Sequence, residues 1–411
     1  MWITKPLDLA GQISSRSFRM FRELDLATND RVPEVYAKLG VKPIINAQSW
    51  ITMLGGSLMR PEVLRAMDEA ATAFVDLADL TRAGGQVVAR ATGAEAGLVV
   101  AGASAGNVLM AAAAMTGADR AKVDQLPDTT GIRSEILMFK GGRNSYDKSF
   151  ITAGAKIVEF GSMGGAQPYH LEAAINENTA ALAWVVAPFH SYPFSLEEAI
   201  EIAHGRNIPV LVDAAAEVPP IDNLTRFTKI GADMVTFSGG KGIGGPQNAG
   251  LLAGKKELID AAFLHMFNLG SGTVGIGRPS KVTKETLVGM TTALELFVES
   301  DHEATWAGWR GQANHIVGRL NNIPGLHVVL EDGDINRQGP QAVIYQESDW
   351  PGPSFEDVRQ QHTDGDPSIR VGGGGYKGEI NIVLVNVQPG EEVIIADRLE
   401  DILRGSTADY R

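Results

Sequence analysis

Between about Pro43 and Met266 the chain alternates short apolar runs with stretches of helical periodicity. The runs are Gly97 to Ala101, Glu135 to Phe139, Lys156 to Phe160, Ala181 to Ala187, Ile208 to Val212, Met234 to Phe237 and Ala249 to Ala253. Seven strands separated by helices predict an α/β fold: a mostly parallel seven-stranded sheet with helices on both faces. Leu171 to Asn176 and Leu196 to His204 have helical spacing, and the second is entered at Ser195 with Glu197 and Glu198 behind it, an N-cap and an acidic first turn. Further helices are expected from Lys284 to about Glu299 and around Trp306 to Leu320. After Pro324 the runs Leu326 to Leu330, Ala342 to Tyr345 and Ile380 to Val387 predict a smaller α+β domain. The expected division is an N-terminal arm over 1–40, a large α/β domain over 41–290 and a small C-terminal domain over 291–411. Residues 1–30 are polar and of mixed charge, with no strand or strong amphipathic pattern, and suit an arm that crosses onto a partner subunit.

Composition narrows the classes. A chain of 411 residues that is 44% hydrophobic and 21% charged lies well outside the disordered range. A net charge of -13 disfavours nucleic acid or an anionic membrane as the main partner. With no cysteine, disulfides and thiolate metal sites are excluded. Met1 to Gly11 lacks a leader pattern and no run of 18 apolar residues occurs, so the cytoplasm is the expected compartment. There is no internal repeat and no low-complexity tract.

The chemistry gathers at strand ends. Lys241 lies in Ser238-Gly239-Gly240-Lys241-Gly242, directly behind an apolar run, so an amine is held in a glycine turn at a strand's end. Upstream, Ile208 to Val212 ends in Asp213-Ala214-Ala215-Ala216-Glu217. A carboxylate to keep a ring nitrogen protonated and an amine to hold an aldehyde are the two groups that pyridoxal 5'-phosphate needs. Against this, Asp213 is also placed as a strand-end cap, and Lys241 as a solvated loop lysine or a phosphate ligand. Ala215, two residues beyond the acid, is small enough to lie flat against an aromatic ring. Gly102-Ala103-Ser104-Ala105-Gly106-Asn107 joins a strand to a helix, so free N–H groups near Ser104 and Ala105 make an anion site by geometry, or else a close-packed turn. Ser238 would add a hydroxyl to the same phosphate. His190, with Ser191, follows another strand and would reach a ring hydroxyl or a substrate, a structural histidine being the competing reading. Arg143, with Asn144 beside it, is the candidate for the second face of the ring. Gly240-x-Gly242-x-x-Gly245 matches a dinucleotide fingerprint only literally, because it leads into another strand; no Ser or Thr follows Lys241, so it is no phosphate loop either.

The order of these features resembles the fold-type-I pyridoxal-phosphate superfamily, and more narrowly its selenocysteine-synthase-like group. The matching segments are Lys42 to Ala47, Leu54-Gly55-Gly56-Ser57, Val212 to Glu217, Ser238 to Lys241 with Gly244 to Gln247, and Gly277 to Lys281 with Lys284-Glu285. That group includes seryl-tRNA selenium transferases and ammonia-lyases that remove a β-hydroxyl from an amino acid or aminosugar acid. The resemblance implies that Lys241 forms the internal aldimine and serves as acid and base at the α-carbon, while Asp213 makes the ring an electron sink. It implies a lyase acting by α,β-elimination through a quinonoid, with a racemase, epimerase or aldolase as the alternatives the same site admits. It also implies that Arg278 and Lys281 reach a phosphate, across the interface of a homodimer or larger even oligomer, and that Arg370 meets the substrate carboxylate. The acidic charge and the lack of a substantial domain ahead of Val41 favour a small amino-acid-type substrate over tRNA.

Overall fold

The computed structural model describes residues 33–187, 191–266, 274–332, 339–374 and 378–405; the arm expected over residues 1–30 lies outside them. Twelve strands occur among these residues: β1 Ile44–Ala47, β2 Ala96–Val100, β3 Glu135–Phe139, β4 Lys156–Phe160, β5 Thr179–Val185, β6 Val210–Asp213, β7 Met234–Ser238, β8 Gly250–Gly254, β9 Leu326–Glu331, β10 Gln341–Gln346, β11 Ser368–Gly373 and β12 Ile380–Val383. The larger sheet has the order β2-β8-β7-β6-β5-β3-β4 and is parallel except for β8. Its central strands are buried along their whole length, as β5, β6 and β8 show. That explains their continuous apolar runs, since helices cover both faces. The edge strand β4 keeps Lys156 and Glu159 exposed. The predicted seven-stranded α/β architecture is thus the observed one, with a smaller sheet domain attached.

Helix starts follow the sequence signals in most places. Asp76 accepts from Ala78 N–H and Asp79 N–H at the head of Leu77–Thr92, Ser195 caps Leu196–His204, and Thr283 caps Lys284–Glu299. The helix Gly102–Thr116 differs: its N-cap residue is Ala101 and no side chain caps it. It packs very closely on the sheet, because a Cβ on Gly106 would stand 2.1 Å from Thr236 Oγ1. At the amino end of the sheet, buried Asp233 accepts from Val210 N–H at 2.7 Å and pairs with Lys255 and His204, tying together β6, β7 and the end of β8.

The expected domain boundaries need correction at both ends. β1 does not join the large sheet; it runs parallel beside β11 in a five-stranded sheet of order β1-β11-β12-β10-β9. Its inward residues Ile45 and Ala47 belong to the small-domain core with Ile369, Ile382 and Leu399. The large domain therefore starts after β1, not at residue 41. At the other end, Leu287, Met290, Leu294 and Phe297 of helix Lys284–Glu299 are all buried in the large core, so a division at 290 would cut one amphipathic helix in two. Ile380 to Val387 is also not one strand: β12 stops at Val383 and a 3-10 turn Leu384–Asn386 follows. Among the described residues no helix is long and apolar enough to cross a membrane.

Candidate active site

Topology brings three chain ends to one edge. β6 and β7 are parallel neighbours with Asp213 opposite Thr236. β2 and β7 both pair antiparallel with β8, so β2 runs in the same direction as β7. The turn after β7, the acid ending β6 and the helix start after β2 therefore emerge together at the carboxyl edge, where ligands of parallel sheets bind.

Asp213 is 6% exposed. Asn107 Nδ2 donates to its Oδ2 at 2.6 Å and Ala215 N–H to its Oδ1 at 3.0 Å. The second bond is the local turn bond that a capping acid makes; the first comes from another element and fixes the carboxyl in the site. Burial pushes this carboxyl up from its ordinary range, against the pull of those two donors and of the Lys241 charge. Lys241 is half-buried and has no ion pair among the described residues. Burial lowers its amine, while Asp213 and Glu217 resist that shift. It is thus not a solvated loop lysine. The turn that carries it needs glycine for space: a Cβ on Gly240 would stand 2.4 Å from Gln247 Cα. After that turn the chain enters β8, not a helix, as the strand-like run at Ala249 required.

The anion site takes shape at the uncapped helix start. Ser104 is exposed, Ala105 is buried and offers only its backbone N–H, and among the described residues no side chain caps the first turn. Ser238 ends β7 and is partly exposed at the same edge; Ala215 is half-buried beside Asp213. Above the lysine turn lies a strap, residues 48–57, that links it to the small domain. Ser57 N–H and Oγ both donate to Gly240 O at 3.1 Å, Gln247 Nε2 donates to Thr52 O at 2.7 Å, and Asn386 Nδ2 donates to Gly56 O at 2.9 Å.

The Arg143 guanidinium is engaged by Asp147 and by Glu159 of edge strand β4. Asn144 is likewise engaged, accepting from Tyr146 N–H at the start of a short turn. Arg370 lies on β11 opposite Asn46 of β1, with Nε buried and lacking a hydrogen-bond partner among the described residues. It lines a hollow with Gln48, Arg359 and Thr363, whose described lining includes neither Asp213 nor Lys241. Arg278 and Lys281 are exposed and form no ion pair among the described residues. His190 falls outside the described residues; Tyr192 nearby donates to Val185 O at 2.8 Å and stacks on Trp184, fixing the end of β5. No group of three or more His, Asp or Glu that would hold a metal occurs among the described residues.

Two residues of the site escaped the sequence reading. Asn107 has a signal, being the one amide on a helix that is otherwise Gly, Ala and apolar apart from Ser104 and Thr116, and is buried almost all round. Glu217 has one too, as an acid inside the apolar stretch Ala214 to Pro220.

Residues 46–307 match the family described as L-seryl-tRNA selenium transferase. Over 377 residues the chain is 33% identical to a D-glucosaminate-6-phosphate ammonia lyase of Salmonella typhimurium, covering 90% of this chain and 98% of that protein. A solved structure of D-glucosaminate-6-phosphate ammonia-lyase superposes with a TM-score of 0.80 at 32% identity, covering 92% of this chain and all (100%) of that one. A 5'-C-glycyluridine monooxygenase-decarboxylase of Streptomyces sp is 31% identical over 379 residues, 90% of this chain and 92% of that protein. A serine palmitoyltransferase from S. paucimobilis, solved with a bound PLP-myriocin aldimine, shares the fold alone, with a TM-score of 0.55, 13% identity and 88% of each chain covered. The resemblance read from the strand-end motifs is therefore borne out, and the chain belongs to the L-seryl-tRNA selenium transferase family of fold-type-I enzymes.

Proposed function

We propose that this chain is a pyridoxal-phosphate-dependent ammonia-lyase that removes a β-hydroxyl and then the amine from an aminosugar acid or related β-hydroxy amino acid. The observation that carries this reading is the convergence of Asp213, Lys241 and the uncapped helix start at Gly102 on one sheet edge. The residues fit the cofactor. Asp213 is a buried carboxyl that burial leaves short of a cation, and a protonated ring nitrogen is such a cation. Ala215 offers a methyl group that admits a flat ring. The N–H groups of Ala103, Ser104 and Ala105, with the hydroxyls of Ser104 and Ser238, are donors for a phosphate. Lys241 would hold the aldehyde carbon through its amine. When bound, pyridoxal phosphate supplies a sink for the electron pair released at the substrate's α-carbon.

The protein's own groups move the protons. Lys241, whose amine burial lowers against the pull of Asp213 and Glu217, would take the proton from the α-carbon. Asp213 keeps a proton on the ring nitrogen, and Asn107 with Ala215 N–H keeps the carboxylate from turning away. The strap over residues 48–57 holds the lysine turn against the small domain. Arg370, from that domain, is proposed to meet the substrate carboxylate, and His190 a hydroxyl of cofactor or substrate. Arg278 and Lys281, exposed and unpaired among the described residues, suit an anionic group presented across the interface of a homodimer.

The test is an assay of the protein with pyridoxal phosphate and D-glucosaminate 6-phosphate. Keto acid and ammonia are expected in equal amounts, with solvent deuterium at the former β-carbon, because loss of the β-group leaves an enamine that must be protonated there. The 31% identity to a named monooxygenase-decarboxylase supports a second reading. Oxygen uptake and carbon dioxide release from a glycyl nucleoside, without ammonia, would replace the lyase assignment. Deuterium at the α-carbon alone would point instead to a racemase.

A further inference from the structure

Among the described residues Arg143, Arg359 and Arg370 are half-buried and Arg398 is buried, while the other arginines are exposed. Two of the four are engaged. Arg143 meets Asp147 and Glu159, and Arg398 donates to Pro367 O and Asp366 O. Arg359 and Arg370 form neither an ion pair nor a side-chain hydrogen bond among the described residues. An arginine whose stem merely covers apolar surface keeps its donors in water. Arg370 does not, because its Nε is shut away without a hydrogen-bond partner among the described residues, and such a group calls for an acceptor.

The two arginines share one hollow. Arg359 comes from the helix Phe355–Asp364 and Arg370 from β11, and between them lies a space of about 190 Å³ that Gln48 and Thr363 also line. Glycine after Arg370 makes room for the second guanidinium: a Cβ on Gly373 would stand 2.6 Å from Arg359 Nη1 and 3.2 Å from its Cδ. Glu356, one turn before Arg359, is the acid on the rim; it is exposed and pairs with neither arginine. Two fixed positive charges therefore stand against one carboxylate, a surplus that draws an anion. Guanidinium forks match the paired oxygens of a carboxylate or a phosphoryl group. Gln48 begins the strap whose Ser57 reaches Gly240 O, so the hollow borders the segment that covers the lysine turn.

We propose that this hollow is an oxyanion subsite in which Arg359 acts beside Arg370, the two guanidiniums together holding one carboxylate or phosphoryl group. That the oxyanion belongs to the substrate rests on the lyase reading; the subsite itself does not.

Labelling of arginines by phenylglyoxal, mapped by peptide mass spectrometry on the full chain, reads the subsite without turnover. Inorganic phosphate or acetate is expected to slow labelling of Arg359 and Arg370 in parallel, and that of exposed Arg206 far less. Stronger protection by phosphate assigns the subsite to a phosphoryl group, and stronger protection by acetate to a carboxylate. Arg359→Gln should raise the anion concentration that half-protects Arg370 by roughly 10- to 100-fold, the loss of one charge-assisted fork. Arg359→Lys keeps the charge without the fork and should raise it by less; it also decides the matter should Arg359→Gln not fold. Protection of Arg370 that neither variant changes overturns the proposal, as does wild-type labelling that neither anion slows or that slows equally at Arg206. In turnover, Arg359→Gln should raise KM with kcat little changed. A protein without lyase activity whose two arginines phosphate still protects would sink the proposed function and keep the subsite.

Discussion

Replacing Asn107 by Leu, which has nearly the same shape, separates catalysis from folding in a way few substitutions here do. The amide donates to Asp213 Oδ2 at 2.6 Å, and both residues are buried. A hydrogen bond to a charged acceptor contributes about 1.5–3 kcal/mol. If the Asp213 carboxylate must hold a ring nitrogen's proton as charge moves onto the ring, that loss falls on the transition state. At about 1.4 kcal/mol per tenfold in rate, kcat/KM should drop roughly 10- to 100-fold. Stability should respond far less. Asn107 Oδ1 is itself buried without a partner among the described residues, and removing such an orphan acceptor relieves about 1–3 kcal/mol. The two changes offset, so the melting temperature of the cofactor-free variant should stay within about 2 °C of wild type. Steady-state kinetics, an absorbance titration with pyridoxal phosphate and a thermal melt together make the assay. Wild-type kcat/KM in a folded Asn107→Leu protein would refute the role given to Asp213, and a large loss of stability matching the loss of activity would make the amide a structural strut.

Three further outcomes follow from the same geometry. Lys241→Ala should abolish borohydride-stable attachment of pyridoxal phosphate and nearly all turnover while leaving the melting temperature of the cofactor-free protein unchanged or higher, since a half-buried amine without an ion pair is lost; reduction and peptide mapping that label another lysine would contradict this. Gly106→Ala should destabilise by about 1–3 kcal/mol, because its Cβ meets Thr236 Oγ1 at 2.1 Å, and should weaken cofactor binding by shifting the helix start, which a denaturant titration and an absorbance titration would measure separately. Buried His265 is pulled down to about 4 by burial, and buried His362 to about 3 by burial and the Arg398 charge. The unfolded chain protonates these rings near the usual value of about 6.5 and the folded chain does not, so each costs about 1.4 kcal/mol of stability per unit as pH falls below about 6.5. The cost levels off below about 4 and about 3 respectively, and His265→Gln should flatten the fall in denaturant midpoint between about pH 6.5 and 5.

What could be read in the sequence and what could not divides along physical lines. The seven strands of the large sheet were legible because each is a short run with apolar residues, buried on both faces in all but the edge strand β4, and their parallel order put Asp213 and Lys241 at one edge by topology alone. The engagement of Arg143 was also legible locally: Asp147 stands four residues on, in reach of the same guanidinium, and Glu159 completes the set. Asn107 and Glu217 carried a signal of another kind, a polar group stranded among apolar neighbours, which a folded chain keeps only when something polar meets it. β1, though part of the matching segment Lys42 to Ala47, had no pattern that assigned it to the small sheet. Four residues with alternate burial, paired in parallel to a strand more than 300 positions later, are specified by a contact that no local spacing encodes. The strap over the lysine turn is the same case, since Ser57 finds its acceptor on Gly240, 183 residues away. Strand ends can gather acid, amine and phosphate donors through local pattern and handedness, but closing the site over them takes long-range contacts. The chemistry of this chain was therefore readable before its enclosure was.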